Sequence, residues 1–317
     1  GNGGQESACG WCKDKWGVNW QITPRVLTEA MAAGGDEAKR AFEAMMDMKK
    51  IDVAAIEAAR LTLPHCSLSA KLPRMKPYVI CHMVTSVDGR IWGSRWRPRA
   101  NVVPNLFERL HDQLVAEVGG GGSWLCGRVT AQEFAKGTEP QYPPSDQVLP
   151  RENWFARRDA KASSQTSWGI FLDAKGKAVW VRGDIGGDPI LVVLTEAVPD
   201  RHLAGLRADG VSYIFAGATE IDLAAALETL NRELGIERLL LEGGGGANGA
   251  LLRAGLIDEL SIVISAAIDG SSGAPTVFNS GDVDLGPAPI ESMTLASHEV
   301  LDGGAIWLRY RLSSAAP

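Results

Sequence analysis

The stretch Ile236-Glu237-Arg238-Leu239-Leu240-Leu241-Glu242-Gly243-Gly244-Gly245-Gly246-Ala247-Asn248-Gly249-Ala250-Leu251-Leu252 decides the fold class. An apolar run stops at a carboxylate, four glycines follow, and a helical pattern opens. The order is strand, tight turn, helix. Glycine lets the backbone turn sharply and come close to a ligand. The helix behind it aims unpaired N–H groups and a positive dipole end at the turn. Diphosphate is the natural occupant of such a place. The stretch matches neither G-x-G-x-x-G nor a P-loop. A purely steric turn uses glycine too, so phosphate binding needs a second feature.

Outward from this turn the chain alternates strands and helices. Tyr78 to Thr85 reads as an apolar strand, 106–118 as a helix, and Ser123 to Cys126 as a short strand ending at Gly127. A helix opens at Thr130 to Phe134, and 137–165 is a polar, proline-bearing loop or lid. Strands are expected at Gly169 to Leu172, Ala178 to Val181, Ile190 to Leu194 and Val211 to Phe215. Leu223 to Leu234 is a helix with Asp222 as N-cap. Leu260 to Ala266 is β-branched and apolar, hence a buried strand. Ser292 to Val300 and Ala305 to Leu312 form a closing hairpin across Asp302-Gly303-Gly304. The fold class is α/β: a mixed, mostly parallel sheet covered by helices on both faces, with an antiparallel hairpin at the end.

The 317 residues are 45% hydrophobic and 22% charged, an ordinary globular composition, with net charge −6. That acidic balance argues against a nucleic-acid partner. No apolar run reaches the length of a membrane span. Five sparse cysteines, an odd number, fit a reducing cytoplasm better than a disulfide framework. Cys9-Gly10-Trp11-Cys12 has C-x-x-C spacing but lacks the βαβ setting of a redox pair. No metal is expected.

Residues 1–63 differ from the rest. Trp16 to Ile22 alternates like a strand. Asp36 caps a helix carrying Ala41, Phe42, Met45, Met46 and Met48, and a second helix carries Val53, Ile56 and Ala59. Residues 64–77, with three prolines, read as a linker.

Three clusters carry chemistry. Val84-Thr85-Ser86-Val87-Asp88-Gly89 puts a carboxylate at the end of a strand, where α/β sheets bind ligands. Ser94-Arg95-Trp96-Arg97 offers guanidinium groups for an anion and an indole for a flat ring. Cys126-Gly127-Arg128-Val129-Thr130 is a second glycine-bearing turn into a helix, with a cation and a hydroxyl. Each alone also reads as a turn, a solvated basic loop or a cap. Two phosphate-suited turns in one sheet fit a dinucleotide.

These motifs, with Glu242-Gly243-Gly244 and Gly255-Leu256-Ile257-Asp258-Glu259-Leu260, resemble the reductase domain of riboflavin biosynthesis, the C-terminal half of the bifunctional deaminase-reductase. That domain has the dihydrofolate-reductase-like three-layer fold, and the likeness covers residues 76–313, with the domain itself read as 78–313. It implies an enzyme that uses NADPH to reduce a phosphoribosylamino-pyrimidine at C1′, as 5-amino-6-(5-phosphoribosylamino)uracil reductase does. It implies cofactor contacts from Gly127, Arg128 and Thr130, with Arg128 facing the 2′-phosphate and Thr195 near it. Gly243, Gly244, Gly245 and Gly246 would wrap the pyrophosphate. Ser86, Arg95, Trp96 and Glu242 would face the substrate, and Asp88 is the catalytic candidate, for orientation or proton delivery. As an acid it would need a raised pKa or a relayed water. After Trp96 the chain has Arg97-Pro98 where that domain carries an aliphatic residue and a hydroxyl. It has no H-x-E and no P-C-x-x-C, the zinc signature of the deaminase half.

Residues 1–60 resemble something else. Cys9-Gly10-Trp11, Trp16-Gly17-Val18, Trp20-Gln21-Ile22 and Met48-Lys49-Lys50-Ile51-Asp52 are similar to the tail of a glyoxalase-like, vicinal-oxygen-chelate domain of the 3-demethylubiquinone methyltransferase-named group. Only that tail is present, without its metal-ligand set. Two other functions stand beside the leading one. One is a reductase of the same fold acting on a pterin, folate or other heterocycle. The other is a non-catalytic nucleotide-binding module. By likeness the chain is expected to form a homodimer, to work in the cytoplasm, and to take a small heterocyclic substrate with no nucleic-acid or membrane partner.

Overall fold

The computed structural model describes residues 5–6, 11–21, 23–33, 35–46, 48, 51–61, 75–118, 122–156, 167–279 and 286–314. Cys9, Cys66, most of the expected linker and residues 157–165 of the expected loop lie outside the described residues. The chain divides into two units, Gly1–Pro73 and Arg74–Pro317.

In the first unit β1 (Gln5–Glu6), β2 (Trp11–Lys13) and β3 (Asn19–Gln21) pair antiparallel in that order. The alternation from Trp16 yields a strand only from Asn19. Asp14 draws the preceding residues into a turn by accepting from the N–H groups of Trp16 and Val18 and from Trp20 Nε1. Three helices follow: α1 (Arg25–Ala33), α2 (Gly35–Met46) and α3 (Val53–Leu61). The first was not anticipated, because Pro24 reads as an interruption while it in fact sets the first turn, accepting from Leu27 N. The helices close a small core of Val26, Leu27, Ala30, Ala41, Met45 and Ile56. Met46 and Phe42, expected on the packed face, point outward.

The second unit is one ten-stranded sheet with helices on both faces. In chain order it contains β4 (Tyr78–Ser86), α4 (Leu106–Val118), β5 (Trp124–Gly127), α5 (Arg128–Phe134), β6 (Gly169–Leu172), β7 (Asp184–Ile185), β8 (Asp188–Leu194), α6 (Asp200–Ala208) and β9 (Ser212–Phe215). Then come α7 (Leu223–Leu234), β10 (Arg238–Leu241), α8 (Gly245–Arg253), β11 (Glu259–Ser265), β12 (Ile290–Val300) and β13 (Ile306–Ser314). The strand order is β12-β13-β11-β4-β10-β5-β6-β8-β7, with β9 also beside β8. Every pairing from β11 through β8 to β9 is parallel, while β12, β13 and β7 pair antiparallel.

Near-continuous apolar strands are what a parallel sheet covered on both faces requires. Alternate residues of β4, β5, β6 and β8 go to opposite cores. Ile80, Trp124, Phe171 and Val192 pack with Leu106, Leu110 and Leu114 of α4 on one face. Val79, Leu125, Ile170 and Leu191 pack with Leu227 and Leu230 of α7 and Leu251 of α8 on the other. Each such buried aliphatic side chain contributes about 1.5–3 kcal/mol. Asp222 caps α7 as expected, accepting from Ala225 N, and Gly235 ends it at φ 65°.

Two expectations fail here. Ala178 to Val181 makes no strand, although Ala178, Val179 and Trp180 are buried. Their carbonyls and amides bond to irregular chain and side chains instead: Val179 O accepts from Gly137 N, and Trp180 N donates to Tyr142 Oη. The loop from 137 is not a free lid over its described part. Tyr142 is buried against α6, donates to Asp209, and Trp154 pairs its backbone with Tyr213. Among the described residues no helix is long and apolar enough to cross a membrane.

Candidate active site

The two glycine turns, read separately in the sequence, lie side by side. β5 and β10 are parallel neighbours, so Gly127 and Glu242 leave the sheet at the same edge. Gly127 N donates to Gly243 O at 2.7 Å. A Cβ on Gly127 would stand 3.0 Å from that of Ala247, and one on Gly244 3.6 Å from Thr130 Oγ1. At Gly127 the approach of the two bends leaves little room for a side chain, whereas at Gly244 an added carbon would make an ordinary contact.

Above these bends is a cavity of ≈ 1660 Å³. Ligand sites for single small molecules occupy roughly 300–1,000 Å³, so this one has room for a dinucleotide and a second molecule. Gly244, Gly245 and Gly246 form one wall. α8 starts at Gly245 with no side-chain cap, so its first N–H groups are left for a ligand. Gly246 has open space where its Cβ would be. Gly127, Arg128 and Thr130 line the same cavity. α5 begins at Arg128, two residues before the expected start, with extended Gly127 as its N-cap. Thr130 therefore sits in the first turn rather than at the cap.

Two further cations, Lys175 and Lys177, line this cavity. They ride on a turn after β6 that Asp173 builds by accepting from the N–H groups of Lys177 and Ala178. Burial pushes the Asp173 carboxyl group above its ordinary range. Thr195 does not line the cavity. It is buried and donates to Ala174 O at 2.7 Å, pinning that same turn from behind.

Glu242 stands in the cavity wall at the end of β10, its side chain 7% exposed. Oε1 is 2.6 Å from His111 Nδ1. Burial pushes the Glu242 carboxyl group up, and the hydrogen bond to Glu242 pushes His111 up, so the pair holds a proton to higher pH than either group alone in water. Sequence reasoning missed His111. A signal was there: it shares the helical stripe of Phe107, Leu110 and Leu114, where a polar residue needs a partner.

The Ser86 to Arg97 segment is placed differently. Neither Ser86, Asp88 nor Arg95 lines the large cavity. Ser86 Oγ donates to Asp88 Oδ1 at 2.6 Å, and the Asp88 carboxylate also accepts from Asp269 N and Gly270 N. These bonds hold it well below the usual carboxylate range, at about 2. That is opposite to the raised value an acid would need, so Asp88 stands here as an ionised anchor for the loop after β11. Arg95 makes a bidentate pair with Asp269 at 2.9 and 3.2 Å. Trp96 is buried and lines a second cavity of ≈ 280 Å³ with Asn105, Glu108 and Ser265. Met83 and Ile91 belong to both cavities, so the smaller adjoins the larger.

Comparison with known proteins bears on this geometry. A 2,5-diamino-6-ribosylamino-4(3H)-pyrimidinone 5′-phosphate reductase of Methanothermobacter thermautotrophicus is 35% identical over 96 residues, 30% of this chain and 44% of that enzyme. The chain thus spans less than half the length of that relative. The reductase of the same name from Archaeoglobus fulgidus is 25% identical over 238 residues, 74% of this chain and 99% of its own. A crystal structure of a pyrimidine reductase-like protein from Corynebacterium diphtheriae superposes with a TM-score of 0.53 at 20% identity, covering 74% of this chain and 92% of that one. It shares the fold. A family described as 3-demethylubiquinone-9 3-methyltransferase matches residues 1–23, a shorter span than the likeness read over residues 1–60. The family described as RibD C-terminal domain matches residues 77–307, most of the chain, and the chain belongs to that family.

Proposed function

We propose that this chain is an NADPH-dependent reductase of a phosphoribosylamino-pyrimidine. The observation that carries this reading is the pair of adjoining glycine turns on one large cavity. Uncapped N–H groups of α8 stand in one wall, and Arg128, Lys175 and Lys177 line the same space. The donor set fits a dinucleotide bearing an extra phosphate. Amides of Gly245 and Gly246 suit the diphosphate. The three cations suit a 2′-phosphate, a contact worth about 1.5–3 kcal/mol per charge-assisted bond. Thr195 acts indirectly, by holding the turn that presents the lysines.

NADPH, when bound, supplies a hydride from C4 of its nicotinamide. The protein's part is to position and to place charge. Met83 and Ile91 line both cavities and Glu242 lines the larger one, which supports the junction of the two as the meeting point of cofactor and substrate. The smaller cavity is lined by Trp96, Glu108 and Asn105, residue types suited to a flat, amine-bearing heterocycle. Work in a reducing cytoplasm is consistent with free Cys12, Cys81 and Cys126. A homodimer is consistent with β12, an exposed edge strand carrying Met293 and Leu295.

Titrating the chain with NADPH, followed by nicotinamide fluorescence, and then adding the phosphoribosylamino-pyrimidine tests the proposal. Binding with oxidation of NADPH is expected. Oxidation only with dihydrofolate or a pterin would move the substrate, and binding with no turnover on any of these would leave a nucleotide-binding module.

A further inference from the structure

The Glu242 carboxyl group is nearly shut off from water, faces the cavity and has one close side-chain partner, His111, which reaches it from α4 across the sheet face. A buried carboxyl group with one partner is costly unless the partner settles its charge. Reduction at C1′ with ring opening also has a definite demand. With the hydride that bound NADPH would supply to C1′, the C1′–O4′ bond would break, and O4′ would need a proton. Asp88 is the wrong group to give it, being held near 2.

We propose that His111 is a positioning residue for Glu242, fixing its carboxyl group toward the substrate end of the cavity and keeping on the pair the proton that O4′ takes. The proposal rests on the reading of this cavity as the reductase site. The other charges that bear on the pair are few. Glu108 and Asp112 on α4 and Asp188 on β8 are acidic and favour a bound proton. On the floor, Cys81 of β4 and Cys126 of β5 are thiols that burial holds neutral. His82 of β4 is held neutral down to about 4 by its own burial. Among these neighbours His111 is the one group that favours the ionised carboxylate, against the burial and the nearby acids that favour the proton. Because His111 is raised, the pair keeps its proton below that value and loses it as pH rises through it.

The test has two arms. First, in enzyme without cofactor, imidazole ¹⁵N signals of wild type, His111→Asn and Glu242→Gln are followed over the histidine range. The signal absent from His111→Asn belongs to His111. It should titrate above the ordinary histidine value of about 6.5 and fall back toward it in Glu242→Gln. An ordinary titration in both overturns the pairing. Second, single-turnover hydride transfer is followed against pH with NADPH and substrate saturating. Wild type should lose rate on the alkaline side. His111→Asn still donates to Glu242 but holds no titrating proton, so its rate should fall at lower pH and run at least about tenfold below wild type at pH 8, with unchanged NADPH affinity. A profile of unchanged shape in His111→Asn overturns the proposal. Wild type that binds no NADPH would sink the reading of the cavity instead, and the first arm would still decide whether Glu242 governs His111.

Discussion

The bends after β5 and β10 and the segment from Ser86 to Arg97 look alike in sequence: both join glycine to charged and hydroxyl side chains at the ends of strands. In three dimensions they part. The first pair of bends leaves amides, Arg128 and Glu242 facing a cavity. In the second, Arg90, Ile91 and Trp92 reach the same cavity, but Ser86, Asp88 and Arg95 turn their polar groups inward, Ser86 onto Asp88, Asp88 onto Asp269 N and Gly270 N, and Arg95 onto Asp269. Residue type advertises chemistry, but only the free hydrogen-bonding capacity left after folding makes it available to a ligand.

Substitutions at the two places should therefore separate binding from stability. The largest effect is expected at Gly245, where a Cβ would come 2.3 Å from Thr276 O, a backbone atom that must move. Gly245→Ala should lose NADPH binding and lower the urea midpoint together. Gly246→Ala sharpens the contrast, since nothing lies within 4 Å of the added carbon on the protein side. Its stability should hold or rise, by roughly 0.5–1 kcal/mol for a helical glycine replaced by alanine, while NADPH affinity falls. Arg128→Ala should weaken NADPH by about 1.5–3 kcal/mol and spare NADH; equal losses in parallel titrations would show that Arg128 does not read the extra phosphate.

On the other side of the comparison, Asp88→Asn should act on the fold and leave NADPH affinity as it is. The folded-state pKa of Asp88 is depressed, so its stabilisation is present above the unfolded-state value, near 3.9, and is lost as pH falls toward about 2. The gap in urea midpoint between wild type and Asp88→Asn should be widest at neutral pH and close in acid. Arg95→Ala should have the smallest effect on ligand binding and act on stability instead, because Arg95 is 49% exposed while the Asp269 side chain it pairs with is fully covered and would lose its cation. A large drop in substrate affinity from Arg95→Ala, measured as KM, would break the contrast and return Arg95 to the site.

Much of the reductase fold was legible because strand, turn and helix signals agreed. α4 and α7 and the strand β6 run over the expected residues, and the Asp302-Gly303-Gly304 turn joins the final hairpin. The misses share a cause. Ala178 to Val181 is apolar because it is buried, and burial alone does not distinguish a ladder strand from packed irregular chain. Tyr142 and Trp154 lie in a stretch rich in proline and polar residues, so composition hides that two aromatic anchors pin it down. At the site, the glycine turns were readable because glycine is needed locally. His111, Lys175 and Lys177 were not, since they enter the cavity through tertiary packing of α4 and of the turn behind Asp173. Asp88 was visible as a carboxylate with Ser86 beside it, but the backbone amides that hold it are about 180 residues away in the chain.

A crystal of the chain grown with NADPH addresses the central claim most directly. The diphosphate should lie within hydrogen-bond distance of the Gly245 and Gly246 amides, the 2′-phosphate against Arg128 with Lys175 or Lys177, and the nicotinamide beside Glu242. Cofactor seated elsewhere, with the bend after Leu241 left without it, would contradict that claim.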